Sequence, residues 1–286
     1  HYVICSNLYK DAKGFKYADL GEVADVLDKQ KKLEIAKKYS PDAVISDQSD
    51  IAVPTVAFLN EQLKLRGIGT KKADLFTDKS LQRKFCKENG ICVPDFKLCE
   101  SIDDAVVMLE KYKKIIIKPI DSQSSRGVYN ITSRKQLEEK YKDTIGWSNR
   151  RKVFLAEEYV DGAEFTIDGL VINSHHYPLC ISVKEMYPEN PNISMMQSYS
   201  YTSDKYDYDL LRKTNRELIE AMGLPMGLTH CEYKFYKGKF YLIEAGARGG
   251  GSNLSGKIVP FMSGIDNYEY LIKEALGEPV DEEFVK

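Results

Sequence analysis

The sequence lacks a strong charge of either sign. Its 41 basic side chains face 43 acidic ones, a net charge of −2, which gives no electrostatic case for nucleic acid as the main partner. It lacks any apolar run of about 18 residues, so no transmembrane helix is expected, and its first residues lack the charged and apolar regions of a signal peptide. Six cysteines are few for 286 residues. Cys5, Cys86, Cys92, Cys99, Cys180 and Cys231 are scattered, with no CxxC pair. That disfavours a disulfide scaffold or a zinc knuckle and favours reduced, buried thiols in a cytoplasmic chain. A GxGxxG dinucleotide fingerprint, a nucleophile elbow and a histidine cluster are also missing. "GSNLSGKI" (251–258) has the spacing of a phosphate loop, but Ile258 stands where Ser or Thr should bind magnesium, and Pro260 follows at once. A P-loop is rejected.

What is present is a balance of 43% apolar and 29% charged residues, enough for a substantial core and for one to three domains. The first third alternates: a strand at "YVICS", a basic helix "KQKKLEIAKKY" after Asp28, a buried strand "PDAVIS", and a helix "IAVPTVAFLNEQLKL" behind Asp50. Alternation of this kind implies a parallel sheet with crossover connections. No glycine-rich turn follows the first strand, so a first βα unit is expected to precede it. Next come a helix "KSLQRKFCKEN" capped by Thr77 or Asp78 and ended by Gly90, a strand "DFKLC", and a helix with Ser101 and Asp104 at capping-box spacing. "KKIIIKP" is a strand, followed by a polar loop, a helix from Ser133 and a strand "VFLAEEYV". The last third reads as strands "AEFTIDGLVI" and "HYPLCISVKEMY", a loop over "ENPNISMMQSYSYTSDKYD", a helix from Asp209 to Met222, a hairpin turning at Lys237-Gly238, and a helix from Asn267 to Leu276.

Four stretches carry chemistry. In the hairpin, Glu232 ("THCEYKF") and Glu244 ("YLIEA") are acids in otherwise apolar strands. Either they share a hard cation such as Mg²⁺, which relieves their mutual repulsion, or both face solvent. In "IIIKPIDSQSSRGV", Lys118 ends a buried strand, where it wants an anion, and Ser122, Ser124, Ser125 and Gly127 offer small donors and free backbone for phosphate. Taken alone, this stretch reads equally as a surface turn with a snorkelling lysine. In "FLAEEYVDGAEF", Glu157 and Glu158 close a strand before a hinge whose backbone suits an adenine edge; the plainer reading is a solvated loop. Finally, "YLIEAGARGGG" sets Arg248 and Gly249, Gly250 and Gly251 just beyond Glu244, an arrangement suited to a small anion. His230 reads as packing or supporting Glu232.

The order of these stretches resembles the ATP-grasp superfamily, particularly carboxylate–amine ligases related to carbamoyl-phosphate synthase and biotin carboxylase. The similarity runs over most of the chain. It implies an ATP-grasp fold of the α/β and α+β classes, with a Rossmann-like pre-ATP-grasp domain over 1–75, a small lobe with its lid loop over 76–157, and a C-terminal lobe with the metal and substrate site over 158–286. It implies ATP with Mg²⁺ (or Mn²⁺). Lys79 and Lys118 would contact ATP phosphates, with Lys118 also near the adenine, and the Ser122–Gly127 loop would close as a lid. Glu157 and the backbone of Glu158 and Val160 would hold the adenine, and Glu164 the ribose. Glu232 and Glu244 would bind metal. Arg248 and Gly249 to Gly251 would hold the substrate carboxylate and the acyl-phosphate, and Lys184 is a candidate for the γ-phosphate. The implied reaction is ADP-forming ligation of a small carboxylate and an amine, without nucleic acid or membrane, with a homodimer as the candidate assembly. The alternatives are a phosphotransferase and a non-catalytic nucleotide binder. One departure matters: the family commonly reads Glu-x-Asn-x-Arg where this chain has "EAGAR", so Gly246 replaces a metal-binding asparagine.

Overall fold

A computed structural model describes residues 1–285, and gives the backbone alone at 190 and 191. The N-terminal part opens with β1 (Ile4–Asn7) and β2 (Leu20–Val23), which pair in parallel. The basic helix α1 (Lys29–Tyr39) starts at Asp28, whose carboxylate accepts from the Lys31 N–H at 2.9 Å. α2 (Val53–Leu63) begins with Pro54 in its first turn, where the missing N–H costs nothing. Two expectations fail here. β2 was unmarked, and "PDAVIS" is not a strand: residues 41–46 have no ladder, and the Val44 carbonyl accepts from the Asn60 side chain at 3.2 Å. An apolar run therefore met a helix rather than a sheet edge.

α3 (Thr70–Thr77) leads into α4 (Lys79–Glu88), which Asp78 caps by accepting from Ser80 and Leu81. The face that α4 buries is polar, with Lys79, Gln82, Arg83 and Cys86 at helical spacing. β3 (Phe96–Cys99), α5 (Ile102–Tyr112) with its Ser101–Asp104 capping box, β4 (Ile115–Pro119), β5 (Tyr129–Ile131), α6 (Arg134–Gly146) and β6 (Phe154–Glu158) complete the small lobe. Its antiparallel sheet runs β3-β6-β4-β5, and Ile115, Ile117, Ile131, Leu137 and Phe154 form its core.

The larger lobe is an antiparallel sheet ordered β11-β10-β7-β8-β9, built from β7 (Ala163–Ile172), β8 (His175–Tyr187), β9 (Asn190–Tyr199), β10 (Gly227–Tyr236) and β11 (Lys239–Gly246). The loop expected over 189–207 is thus a strand in its first half. β9 lies at the sheet edge, and its own irregularities opposite Glu185–Tyr187, where it skips residues that β8 does not, break the alternation that would have marked it. α7 (Tyr208–Met222) packs its apolar stripe under the sheet against Phe165, Ile167, Cys231 and Tyr233. The Lys237-Gly238 turn has positive φ at both residues, 48° and 76°, the hairpin geometry that glycine eases. α8 (Val259–Ser263) and α9 (Asn267–Leu276) close the chain, after a π-helical turn at Leu254–Ile258 that occupies the false phosphate-loop stretch. Among the described residues no helix is long and apolar enough to cross a membrane.

Candidate active site

Alternation along the large sheet separates two faces. Phe165, Ile167, Ile181, Cys231 and Tyr233 point into the core. Between them, Glu164, Thr166 and Asp168 on β7 share the other face with their partners Lys184 and Ser182 on β8 and His230, Glu232 and Lys234 on β10. This polar face forms one wall of an open cleft of about 800 Å³, measured to its mouth. The small lobe forms the other wall. Of the residues expected at the site, Lys79, Lys118, Ser122, Ser124, Ser125, Glu157, Glu158, Val160, Glu164, Glu232 and Glu244 all line this cleft.

At one end, Glu157 is held by two cations. Arg83 Nε donates to Oε1 at 2.8 Å, and Lys118 Nζ lies 2.6 Å from Oε2. Burial alone would push the Glu157 carboxyl up, but Arg83 and Lys118 outweigh it and the net direction is down. Lys118 goes the other way: burial lowers it to about 8 against the pull of Glu157. Both Glu157 oxygens are thus engaged inside the protein. The Glu158 N–H already donates to the Asp95 carbonyl at 2.8 Å. Arg83 is a residue that sequence reading missed. It also donates through Nη2 to the Ile243 carbonyl at 2.7 Å. Ile243 is the extra residue of a β-bulge, since Glu232 pairs with Glu244 but Tyr233 pairs with Leu242. Arg83 therefore satisfies a carbonyl that the bulge frees from the ladder.

The same bulge sets the other end. Glu232 and Glu244 are register partners, so their side chains share one face. Each is neutralised by a lysine: Lys79 Nζ lies 2.7 Å from Glu244 Oε1, and Lys184 Nζ lies 2.7 Å from Glu232 Oε1 and 2.8 Å from Glu164 Oε1. His230 sits between Asp168, at 2.8 Å, and Glu232, at 3.7 Å, so it does support Glu232. Burial would lower its pKa, yet Asp168 and Glu232 raise it to about 9. Burial likewise opposes ionisation of Glu232, and Lys184 and His230 reverse this, holding it well below the usual carboxylate range. Among the described residues no group of three or more metal-ligating side chains is assembled. Two carboxylates with lysines beside them do fit magnesium that takes its other ligands from phosphate and water.

Between the two ends runs the Ser122–Gly127 loop. Ser124 and Ser125 are both left-handed, with φ of 59° and 54°, a conformation that costs non-glycine residues and that recurs at ligand-binding loops. Ser125 Oγ donates to the Asn192 carbonyl on β9 at 3.0 Å, and the Gly127 carbonyl accepts from Thr144 at 2.9 Å.

The profile of the ATP-grasp domain family matches residues 112–255. This chain belongs to the ATP-grasp family. It is similar to a phosphoribosylamine–glycine ligase of Methanocella arvoryzae, with 25% identity over 251 residues, 79% of this chain and 57% of that one. Among solved structures, an L-amino acid ligase from Bacillus licheniformis matches with a TM-score of 0.77 at 23% identity, covering 93% of this chain and 65% of that one. A biotin carboxylase from Campylobacter jejuni gives 0.79 at 18%, covering 99% and 67%. The chain spans a little over half the length of the curated relatives it matches.

The ATP-grasp stretch "EAGARGGG" lies at the end of β11. Arg248 forks onto Asp50, with Nε 3.0 Å from both carboxylate oxygens and Nη2 2.7 Å from Oδ2. Gly249 donates its N–H to Asp47 at 2.6 Å. The glycines are small partly for the protein's own sake. A Cβ on Gly249 would lie 2.2 Å from Ser255 Oγ, and one on Gly250 would lie 2.7 Å from Leu254 Cδ1, whereas Gly251 has open space. At Gly246 a Cβ would meet Asp50 Oδ1 at 3.1 Å. The carboxylate of Asp50 thus reaches the place that the family's asparagine side chain would take. The sequence marked no site role for Asp47, and for Asp50 only a place before α2, since their partners are about two hundred residues away.

Proposed function

We propose that the chain is the nucleotide-binding and catalytic part of an ADP-forming ligase, which activates a small carboxylate as an acyl-phosphate for attack by an amine. The observation that carries this reading is the pairing of cleft carboxylates with lysines, Glu244 with Lys79 and Glu232 with Lys184. A site in this form is neutral before ligand arrives. On arrival of Mg·ATP, Glu232 and Glu244 would hold the magnesium, which neutralises phosphate charge, and Lys79 and Lys184 would be freed to meet phosphate oxygens. Lys118, anchored by Glu157, faces the phosphates from the small lobe, and Glu164 accepts from the ribose. The left-handed Ser124–Ser125 backbone offers donors to phosphate and closes over it, excluding water. The hinge after Glu158, with Val160, takes the adenine.

In the reaction, a carboxylate oxygen attacks the γ-phosphorus, the bond to the β–γ bridging oxygen breaks, and ADP leaves. The amine nitrogen then attacks the acyl carbon and loses a proton, and phosphate departs. Arg248 and the backbone of Gly249–Gly251 steady the carboxylate and its phosphate. Residues 1–75 act as the pre-ATP-grasp unit, contributing Asp47 and Asp50 to the substrate end.

The test is ADP release with Mg·ATP across a panel of amino acids and small carboxylates, alone and with amines, with Glu244→Ala as control. Release that needs a carboxylate, rises with an amine and disappears in the variant is expected. A phosphorylated acceptor that accumulates without phosphate release would establish a phosphotransferase instead.

A further inference from the structure

A second cavity adjoins Arg248, between α2, residues 44–47, the start of β10 and α9. It spans about 560 Å³ measured out to its open mouth. Its walls are mostly aliphatic: Val53, Val56, Ala57, Ile68, Leu228 and Leu271. Five polar or charged side chains also border it, Ser46 from an exposed position, and two of the five are arginines already paired with acidic residues. Arg248 is forked onto Asp50, and Arg66 donates to Glu274 at 2.8 Å. The other two are Asp47 and Asn60. Each buries one oxygen without a partner, Asp47 Oδ2 and Asn60 Oδ1.

A buried acceptor left unpaired costs about 1–3 kcal/mol, so two bordering one cavity need a reason. Both are acceptors, and one carries charge. An anion would meet the Asp47 carboxylate, and a purely apolar occupant would leave both oxygens bare. A primary ammonium supplies three donors and a positive charge. The aliphatic walls leave room for a short apolar body behind that head. Asp47 also fixes the location, because its other oxygen already takes the Gly249 N–H at 2.6 Å. The occupant's head would therefore lie beside the glycine run.

We propose that this cavity binds a primary ammonium on a short aliphatic body, and that this ligand is the amine-side substrate; only that second clause rests on the ligase reading above. The first probe is isobutylamine hydrochloride, titrated calorimetrically into the full chain without nucleotide, with isobutyrate as the isosteric anion. Saturable binding of the amine and none of the acid is expected. Asp47→Asn should weaken the amine about tenfold, as loss of a charge-assisted hydrogen bond does, and Val56→Phe should weaken it by filling the space. Loss of folding in a variant would not decide the matter, so the side-chain amide resonance of Asn60 is followed in the unaltered protein and should move on titration. No saturable binding at millimolar amine, or binding indifferent to both folded variants, would overturn the assignment. ADP release measured separately distinguishes the two claims. Amine binding without amine-stimulated turnover keeps the cavity and removes the ligase; amine-stimulated turnover with no binding at this cavity does the reverse.

Discussion

The two ends of the cleft use the same chemistry for opposite purposes. At the small-lobe end, Arg83, Glu157 and Lys118 expose 0%, 2% and 6% of their side chains. At the large-lobe end, Glu244 and Glu232 expose 25% and 26%, although their lysine partners are buried. A sealed ion pair cannot trade its partner for a ligand without leaving a bare charge in the interior. A pair whose carboxylate still touches solvent can. The first end is framework that aims Lys118 into the cleft. The second is a carboxylate pair matched by lysines, which on the proposed function passes to a magnesium ion when Mg·ATP arrives.

The largest expected effect comes from breaking the sealed end. Arg83→Met strips Glu157 of one cation and leaves the Ile243 bulge carbonyl unpaired, so unfolding in urea should show a loss of about 3 kcal/mol. The second is the converse. Glu244→Ala takes the carboxylate from the buried Lys79, whose ammonium keeps the Ser122 carbonyl at 2.8 Å, so it should cost less stability in urea than Arg83→Met while ADP release falls at least about a hundredfold, roughly 2.7 kcal/mol of barrier. If both variants lost stability alike, the contrast between the ends would vanish.

The third prediction titrates Lys118, whose pKa burial lowers from 10.5 to about 8. Below pH 8 it is charged both folded and unfolded. Between about 8 and 10.5 the unfolded chain binds more protons, so this group makes stability rise with pH in that window. Nucleotide affinity should move oppositely, falling about tenfold from pH 7 to pH 9 as the lysine loses its charge. Calorimetric titration of Mg·ATP checks this, and Lys118→Arg, which stays charged, should flatten the dependence. The smallest effect is at the substrate end. Gly246→Asn should cost about 1 kcal/mol through its crowding of Asp50, and much less when added to Asp50→Ala, which itself costs the Arg248 pair. Additive losses would show that Asp50 and position 246 do not compete for space.

Much of this was legible wherever the signal is local. The Asp28, Ser101 and Ser133 caps, the Lys237-Gly238 hairpin and the alternation in "AEFTIDGLVI" lie within a few residues of what they specify. The pairing of Glu232 with Glu244 followed from the hairpin and is a register pair in the structure. The misses share a different cause. β9 is an edge strand whose alternation is broken by its own bulges, and 41–46 is an apolar run that found no strand to pair with. Arg83, Asp47 and Asp50 carried no site reading because their partners are Glu157, Gly249 and Arg248, far along the chain. A polar residue on a buried helix face, as in α4, is the one local hint that Arg83 offered.

The most direct test of the account is to trap its intermediate. The chain is incubated with Mg·ATP, the carboxylate panel and hydroxylamine, and hydroxamate is measured beside ADP. Hydroxamate should form in step with ADP and be absent in Glu244→Ala. ADP released without hydroxamate for every carboxylate, or neither product despite magnesium-dependent ATP binding, would contradict it.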